Sequence, residues 1–209
     1  MSIEKAYNLW AECYDTNENK TRDLDQKSTI EVLSRYNFET VLELGCGTGK
    51  NTKWLVTKAK KIIALDFSQE MLNKATNKIK NSNVLFKKAN LLEVWDIDNE
   101  FADLITASLM LEHIKNLNFI FKQAQLKLKS NGLFFINELH PFKQYIGSKA
   151  RFDTEKGTEV LEVYTHHVSE YVAMANKNGF FLEEIEEQFD GVEADEIPRL
   201  LSLVFRKKI

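Results

Sequence analysis

Apolar positions along this chain alternate between two spacings. Near the start, Ile3, Ala6, Tyr7, Leu9, Trp10 and Tyr14 fall three and four residues apart, which predicts a short amphipathic helix over 3–15. Polar residues 16–23 follow, and Ile30, Val32, Leu33 and Tyr36 predict a second helix. The spacing then changes to short apolar runs separated by helical stretches. Residues 40–44, 61–66, 84–86, 101–108 and 133–136 read as strands; 50–59, 68–81, 117–129 and 167–178 read as helices. Ser68 caps the second of these helices with Glu70 in its first turn. Asn131-Gly132 and Asn178-Gly179 are stop signals for the last two. Strands that alternate with helices imply parallel βαβ units with right-handed crossovers, a doubly wound α/β fold. The strands are almost continuously apolar, as burial on both faces requires.

The C-terminal third is less regular. In 180–190, Leu182, Ile185 and Phe189 fit a helix, while Phe181, Ile185 and Phe189 fit one face of a strand interleaved with glutamates. Residues 200–206 read as a strand. Residues 140–166 carry no helical period and form a long insertion of the kind used as a lid. Without repeats, linkers or prolines beyond Pro141 and Pro198, the expectation is a single domain over 1–209 with residues 1–36 as a helical cap.

Composition narrows the class. At 209 residues, 44% hydrophobic and 28% charged, the chain is ordinary for a globular protein. No apolar run approaches the roughly 18 residues of a membrane span. The opening MSIEKAYNLW has no apolar stretch of a secretory signal, so a cytoplasmic protein is expected. A net charge of −3, with 23 lysines against five arginines, argues against a dedicated nucleic-acid binder. Cys13 and Cys46 show neither metal-ligand spacing nor a reason to pair, and no metal is expected.

The sharpest chemical signal is the strand that runs into Glu43-Leu44-Gly45-Cys46-Gly47-Thr48-Gly49 and then a helix. Glycines there let the backbone turn tightly and approach a ligand, and the free N–H groups offer donors. The spacing is not the G-x-G-x-x-G of a dinucleotide site, and Lys50-Asn51 breaks the P-loop pattern. Glu43 would repel a pyrophosphate and suits a cationic or ammonium group. Asp66, closing the second strand, is placed to accept from ribose hydroxyls. A ribose, a positive charge and no pyrophosphate together describe S-adenosylmethionine.

The segments that carry these features resemble the class I S-adenosylmethionine-dependent methyltransferases, in particular the ubiquinone/menaquinone-biosynthesis-like (methyltransferase type 11) group. Residues 43–49 resemble motif I, residues 65–71 the segment after it, Ala89-Asn90-Leu91-Leu92 the adenine-edge position, residues 107–114 the fourth-strand motif, and Asn131-Gly132-Leu133 the start of the fifth strand. Asn90 stands where the family more often has Asp. The resemblance covers roughly residues 5–140 well. It implies a seven-stranded, mostly parallel Rossmann-like sheet ending in an antiparallel hairpin, which favours the strand reading of 181–189. It implies that Gly45, Cys46, Gly47 and Gly49 wrap the methionine part near Glu43, and that Asp66 holds the ribose. Phe67 and Met71 would lie against the adenine, Asn90 and Leu91 at its edge, Ser108 and Leu109 near the methyl group, and Tyr14 over the pocket as a cap.

The expected activity is methyl transfer to a small-molecule O, N or C nucleophile, leaving S-adenosylhomocysteine, by a monomer or homodimer. The alternatives are a non-catalytic cofactor-binding sensor on the same fold, and a nicotinamide-dependent reductase, against which Glu43 and the glycine spacing speak. His113 and His140 follow the fourth and fifth strands and face the ligand crevice of such a sheet, so they are the candidate bases. Tyr145 in the insertion is the candidate for orienting the acceptor, and one of His166 and His167 is a candidate to point at the site. Lys143, Lys149, Arg151 and the glutamates 183, 184, 186 and 187 read as solvated faces.

Overall fold

The structure is a computed structural model that describes residues 2–149, 151–154, 157–191 and 197–209. In chain order it contains α1 (Ile3–Trp10), α2 (Lys20–Leu33), β1 (Thr40–Leu44), α3 (Thr52–Leu55), β2 (Lys61–Asp66), α4 (Gln69–Lys78), β3 (Val84–Lys88) and β4 (Ala102–Ser108). There follow α5 (Leu117–Lys127), β5 (Leu128–Leu139), α6 (Pro141–Tyr145), β6 (Arg151–Thr154), β7 (Gly157–Val160), α7 (Val168–Lys177), β8 (Phe180–Gln188) and β9 (Leu200–Lys207).

Seven strands form one sheet in the order β3-β2-β1-β4-β5-β9-β8. The first five run parallel, and β9 is antiparallel to both β5 and β8. The alternation of side chains builds a core on each face. Val41, Ile62, Leu104, Phe135 and Val204 pack under α2, α3 and α4 through Val32, Leu55 and Leu72. Leu42, Leu65, Ile105, Phe134 and Leu203 pack under α5 and α7 through Phe121 and Tyr171. Phe121 meets the rings of Phe134, Phe180 and Phe205 edge-on at 5.3–6.1 Å. From β1 the chain winds outward to β2 and β3, then returns to β4 on the other side. That reversal leaves a crevice beyond the carboxyl ends of β1 and β4.

Several local expectations change. The first helix stops at Trp10, because residues 11–16 turn back on themselves through Cys13 N–H to Trp10 C=O and Thr16 N–H to Cys13 C=O bonds. The helix expected over 50–59 keeps only Thr52–Leu55 before breaking into turns. The 140–166 insertion is not structureless. It holds α6, with Pro141 at its first position, and the β6–β7 hairpin. Residues 150, 155 and 156 and the side chains of Arg151 and Phe152 lie outside the described residues.

The 180–190 ambiguity resolves as strand, but with the opposite face inward. Leu182, Glu184, Glu186 and Gln188 are half-buried on one face, while Phe181 and Ile185 on the other are 41% and 46% exposed. Glu184 and Glu186 turn toward α2's end, where Tyr36 donates to Glu184 at 2.6 Å and Arg35 pairs with Glu186 at 2.7 Å. With Glu183 on Arg206 and Glu187 on His140, all four glutamates hold partners, so the run is not a merely solvated face.

Candidate functional site

The glycine turn after β1 uses its glycines for different purposes. All three have positive φ: +67° at Gly45, +53° at Gly47 and +82° at Gly49. A Cβ on Gly45 would stand 3.0 Å from Met110, and one on Gly49 would stand 2.8 Å from Ile79, so both permit close packing. A Cβ on Gly47 would meet nothing within 4 Å, because Gly47 faces open cavity. The turn is pinned to β2: Cys46 N–H donates to Leu65 C=O at 3.0 Å and Gly47 N–H to Asp66 Oδ2 at 2.8 Å. Ser68 N–H donates to Asp66 Oδ1 at 2.8 Å. Burial raises the Asp66 carboxyl to about 6 against the lowering effect of those N–H groups. Each carboxylate oxygen keeps a second lone pair for a ligand.

Three cavities meet here. The first, of about 230 Å3, has Asp66, Phe67, Asn90, Leu91, Ser108 and Leu109 among its walls. Helix α1 closes it. Tyr7 packs between Phe67 and His113 at 5.6 and 5.5 Å, and Ser68 donates to Asn8 Oδ1 at 2.6 Å. The second, of about 50 Å3, is bounded by Arg22, Asp25, Glu43, Gly45, Cys46 and Gly47. Burial pushes the Glu43 carboxyl up to about 8, with Thr52 donating to it at 2.6 Å, and raises Asp25 to about 6. Asn51 and Asn137 amides hold Asp25 at 2.9 and 2.7 Å. The third, of about 610 Å3, opens to solvent between the segment around Glu18–Arg22 and residues 146–149. Leu109 and Tyr14 line all three. Leu109 sits just past β4 with φ +50°, a left-handed conformation unusual for leucine.

Of the expected cofactor residues, Glu43, Gly45, Cys46, Gly47, Asp66, Phe67, Asn90, Leu91, Ser108, Leu109 and Tyr14 converge on these cavities. Two do not. Met71 is fully buried in α4 and Gly49 packs against Ile79, so both serve the core beneath the turn. The Asn90 amide is engaged locally, donating to Glu93 at 2.9 Å and accepting Leu92 N–H at 3.1 Å.

The expected bases fare differently. His113 lines the first cavity. Its Nδ1 faces the Glu162 carbonyl at 3.2 Å and therefore carries the proton, so Nε2 accepts from Tyr7 OH at 2.8 Å. His140 is withdrawn. It is 1% exposed, with Nδ1 capping α6 at Phe142 N–H (3.2 Å), which leaves Nε2–H to Glu187 at 3.0 Å. Both nitrogens are spent on structure. Tyr145 is 52% exposed and turned to His167 rather than into a cavity. His166 is buried against the Ile114 carbonyl and Glu170. From the expected lid, Ile146, Gly147, Ser148 and Lys149 do line the 610 Å3 cavity.

Four polar groups escaped the sequence reading. Arg22 is buried, donates to the Tyr14 and Asn17 carbonyls and lies 4.0 Å above the Tyr14 ring, with Nε unpartnered among the described residues. Asp25 comes from the middle of α2. Glu112 stands on the cavity wall after β4, and Glu138, beneath it, accepts Met110 and Leu111 N–H at 2.9 and 2.8 Å. One signal was available: Asn137-Glu138 interrupts an apolar strand, and buried polar groups need partners.

A doubly wound sheet with this turn and an acid closing β2 defines a domain that binds a nucleoside-containing cofactor. Residues 42–136 match the family model described as a methyltransferase domain. An uncharacterized methyltransferase of Emericella nidulans is 28% identical over 214 aligned residues, spanning 84% of this chain and 74% of that one. The DhpI complex with SAH superposes with a TM-score of 0.78 at 20% identity, over 98% of this chain and 95% of the other. An S-adenosylmethionine-dependent methyltransferase from Clostridium acetobutylicum superposes with a TM-score of 0.73 at 18% identity, over 98% of both chains. Residues 42–136, a little under half of the chain, carry the match to the methyltransferase domain, and the fold is that of S-adenosylmethionine-dependent methyltransferases. These likenesses do not single out a subgroup among such enzymes. No helix among the described residues is long and apolar enough to cross a membrane.

Proposed function

We propose that this protein transfers the methyl group of S-adenosylmethionine to a small molecule held in the 610 Å3 cavity. The carrying observation is the meeting of three cavities at Leu109 and Tyr14: one apolar and nucleoside-sized, one small and acidic, one open to solvent. Adenosine suits the first, with Phe67 and Leu91 as apolar walls, Asn90 at the edge and Asp66 under the ribose. The methionine ammonium suits Glu43 and Asp25, and its carboxylate suits the Arg22 guanidinium, whose Nε has no partner among the described residues. When bound, the cofactor supplies an already activated methyl group on a sulfonium. The chain's own task is to align a nucleophile and keep water out. Tyr7, Trp10 and Tyr14 screen the junction, and Leu109 and Ser108 fix the place beside which the nucleophile stands. A net charge of −3 and a cavity of this size favour a small acceptor over nucleic acid.

Titration calorimetry tests the reading. S-adenosylmethionine and S-adenosylhomocysteine should both bind and NAD should not; tight NAD binding with no response to either sulfur compound would refute it.

A further inference from the structure

Two charged groups on the wall of the 610 Å3 cavity are buried, Arg22 and Glu112, each 8% exposed. Arg22 is folded back onto the Tyr14 and Asn17 carbonyls. Glu112 is not. Its Oε2 accepts one long bond, 3.2 Å, from Gln144 Nε2, and Oε1 has no hydrogen bond among the described residues. The turn that carries it is held firmly. Leu109 N–H donates to Asn137 C=O at 2.9 Å, and the next two N–H groups are both taken by Glu138 Oε1. Glu112 thus lines the cavity, three residues beyond Leu109, the residue shared with the cofactor cavities, with one carboxylate oxygen that has no hydrogen bond among the described residues.

Resting on the reading that this cavity holds the methyl acceptor, we propose that the acceptor is an amine arriving as its ammonium ion, and that Glu112 Oε1 takes its proton. Burial holds the Glu112 carboxyl at about 7. A base of that strength draws a proton from an ammonium of pKa ~10 far more readily than from an aliphatic hydroxyl. The other charges permit a cation here. Of the cations on this wall, Arg199 is paired with Asp190, Arg22 is turned onto the Tyr14 and Asn17 carbonyls, and Lys20 and Lys149 are exposed to solvent. The groups facing Glu112 are Tyr7 from α1, Glu138 from β5, Gln144 from α6, Tyr171 from α7 and the adjacent His113. Tyr7 and His113 are spent on each other, burial raises both tyrosine hydroxyls well above their usual range, and burial raises Glu138 to about 8. Of the two carboxyls that burial holds near neutrality here, Glu112 is the one on the cavity wall.

In the transfer, one ammonium proton passes to Glu112 Oε1. The freed nitrogen lone pair forms the N–C bond as the C–S bond breaks with its electron pair going to sulfur. The methylated ammonium and a neutral thioether result, and the proton on Glu112 leaves for solvent through the cavity mouth.

Tyramine, with its hydroxyl counterpart tyrosol as control, probes this on the whole protein saturated with S-adenosylhomocysteine at pH 7.5. Tyramine should bind at least tenfold tighter than tyrosol. Glu112→Gln should lose at least tenfold in tyramine affinity while binding S-adenosylhomocysteine as the wild type does, and Glu112→Asp should keep the amine preference. With S-adenosylmethionine, the wild type should form N-methyltyramine at a rate rising through about pH 7, and Glu112→Gln should lose that rise. Equal binding of tyramine and tyrosol, a Glu112→Gln protein that binds tyramine normally, or no tyramine binding by a protein that does bind S-adenosylhomocysteine overturns the proposal. Failure of the wild type to bind S-adenosylhomocysteine removes the cofactor reading instead.

Discussion

Glu43→Gln separates what the site does for stability from what it does for binding. Glu43 is 4% exposed, one Thr52 hydroxyl is its side-chain donor, and burial raises its carboxyl from an ordinary 4.5 to about 8. The folded chain therefore holds this proton to higher pH than the unfolded chain does. Between about pH 4.5 and 8 the folded state binds more protons, so this group makes stability fall as pH rises across that window. At pH 7 the loss from this one group is on the order of 2–3 kcal/mol relative to acid.

Glutamine removes the titration and keeps an oxygen for Thr52. The variant should be more stable than wild type at pH 7.5, by roughly 4–10 °C in melting temperature for a chain of this size. The difference should shrink toward pH 5. Binding should move the other way. Losing a charged partner for the methionine ammonium weakens S-adenosylmethionine by about 1.5–3 kcal/mol, or roughly 10–150-fold. Saturating S-adenosylmethionine should therefore narrow or reverse the gap. The assay is thermal melting of both proteins across pH 5–8, with and without cofactor, beside calorimetry. A Glu43→Gln protein less stable than wild type at pH 7.5, or one that binds the cofactor equally well, would show that Glu43 is not a buried acid awaiting a cation.

Other outcomes follow from the same geometry. Calorimetry at pH 7 in buffers of different ionisation enthalpy should show proton release when S-adenosylmethionine binds, because an ammonium beside Glu43 favours its charged form; proton uptake would contradict this. Gly47→Val adds a Cβ where nothing stands within 4 Å, so its damage should appear as lost S-adenosylhomocysteine affinity, with only about 1–2 kcal/mol of backbone strain in stability. Normal affinity in that variant would mean the turn faces no ligand. His140→Ala removes the cap of α6 and should lower stability by about 0.5–2 kcal/mol while leaving S-adenosylhomocysteine affinity unchanged. A selective loss of that affinity would return His140 to the site.

The parallel half of the fold was legible because its inner strands are apolar runs buried on both faces, and because Ser68 and Asn178-Gly179 mark helix ends chemically. The glycine turn with Glu43 and Asp66 was legible for a related reason: backbone approach and charge can be read from residue types at fixed spacing. What was not legible depends on side chains brought together from afar. Asp25 and Arg22 reach the site from the middle and first turn of α2, with nothing local to mark them. His140 follows β5 as a base would, yet Pro141 starts a helix that consumes its lone pair. Phe181 and Ile185 share one face of β8, and which face of an edge strand turns outward is set by how the sheet is covered, not by the strand's own spacing.

A crystal structure of the protein with S-adenosylhomocysteine tests the central claim most directly. The account predicts adenosine in the cavity walled by Phe67 and Leu91, ribose hydroxyls on Asp66, the ammonium toward Glu43 and Asp25, and the sulfur beside Leu109 facing the 610 Å3 cavity. Density for the ligand outside that crevice, or a sulfur walled off from the larger cavity, would contradict it.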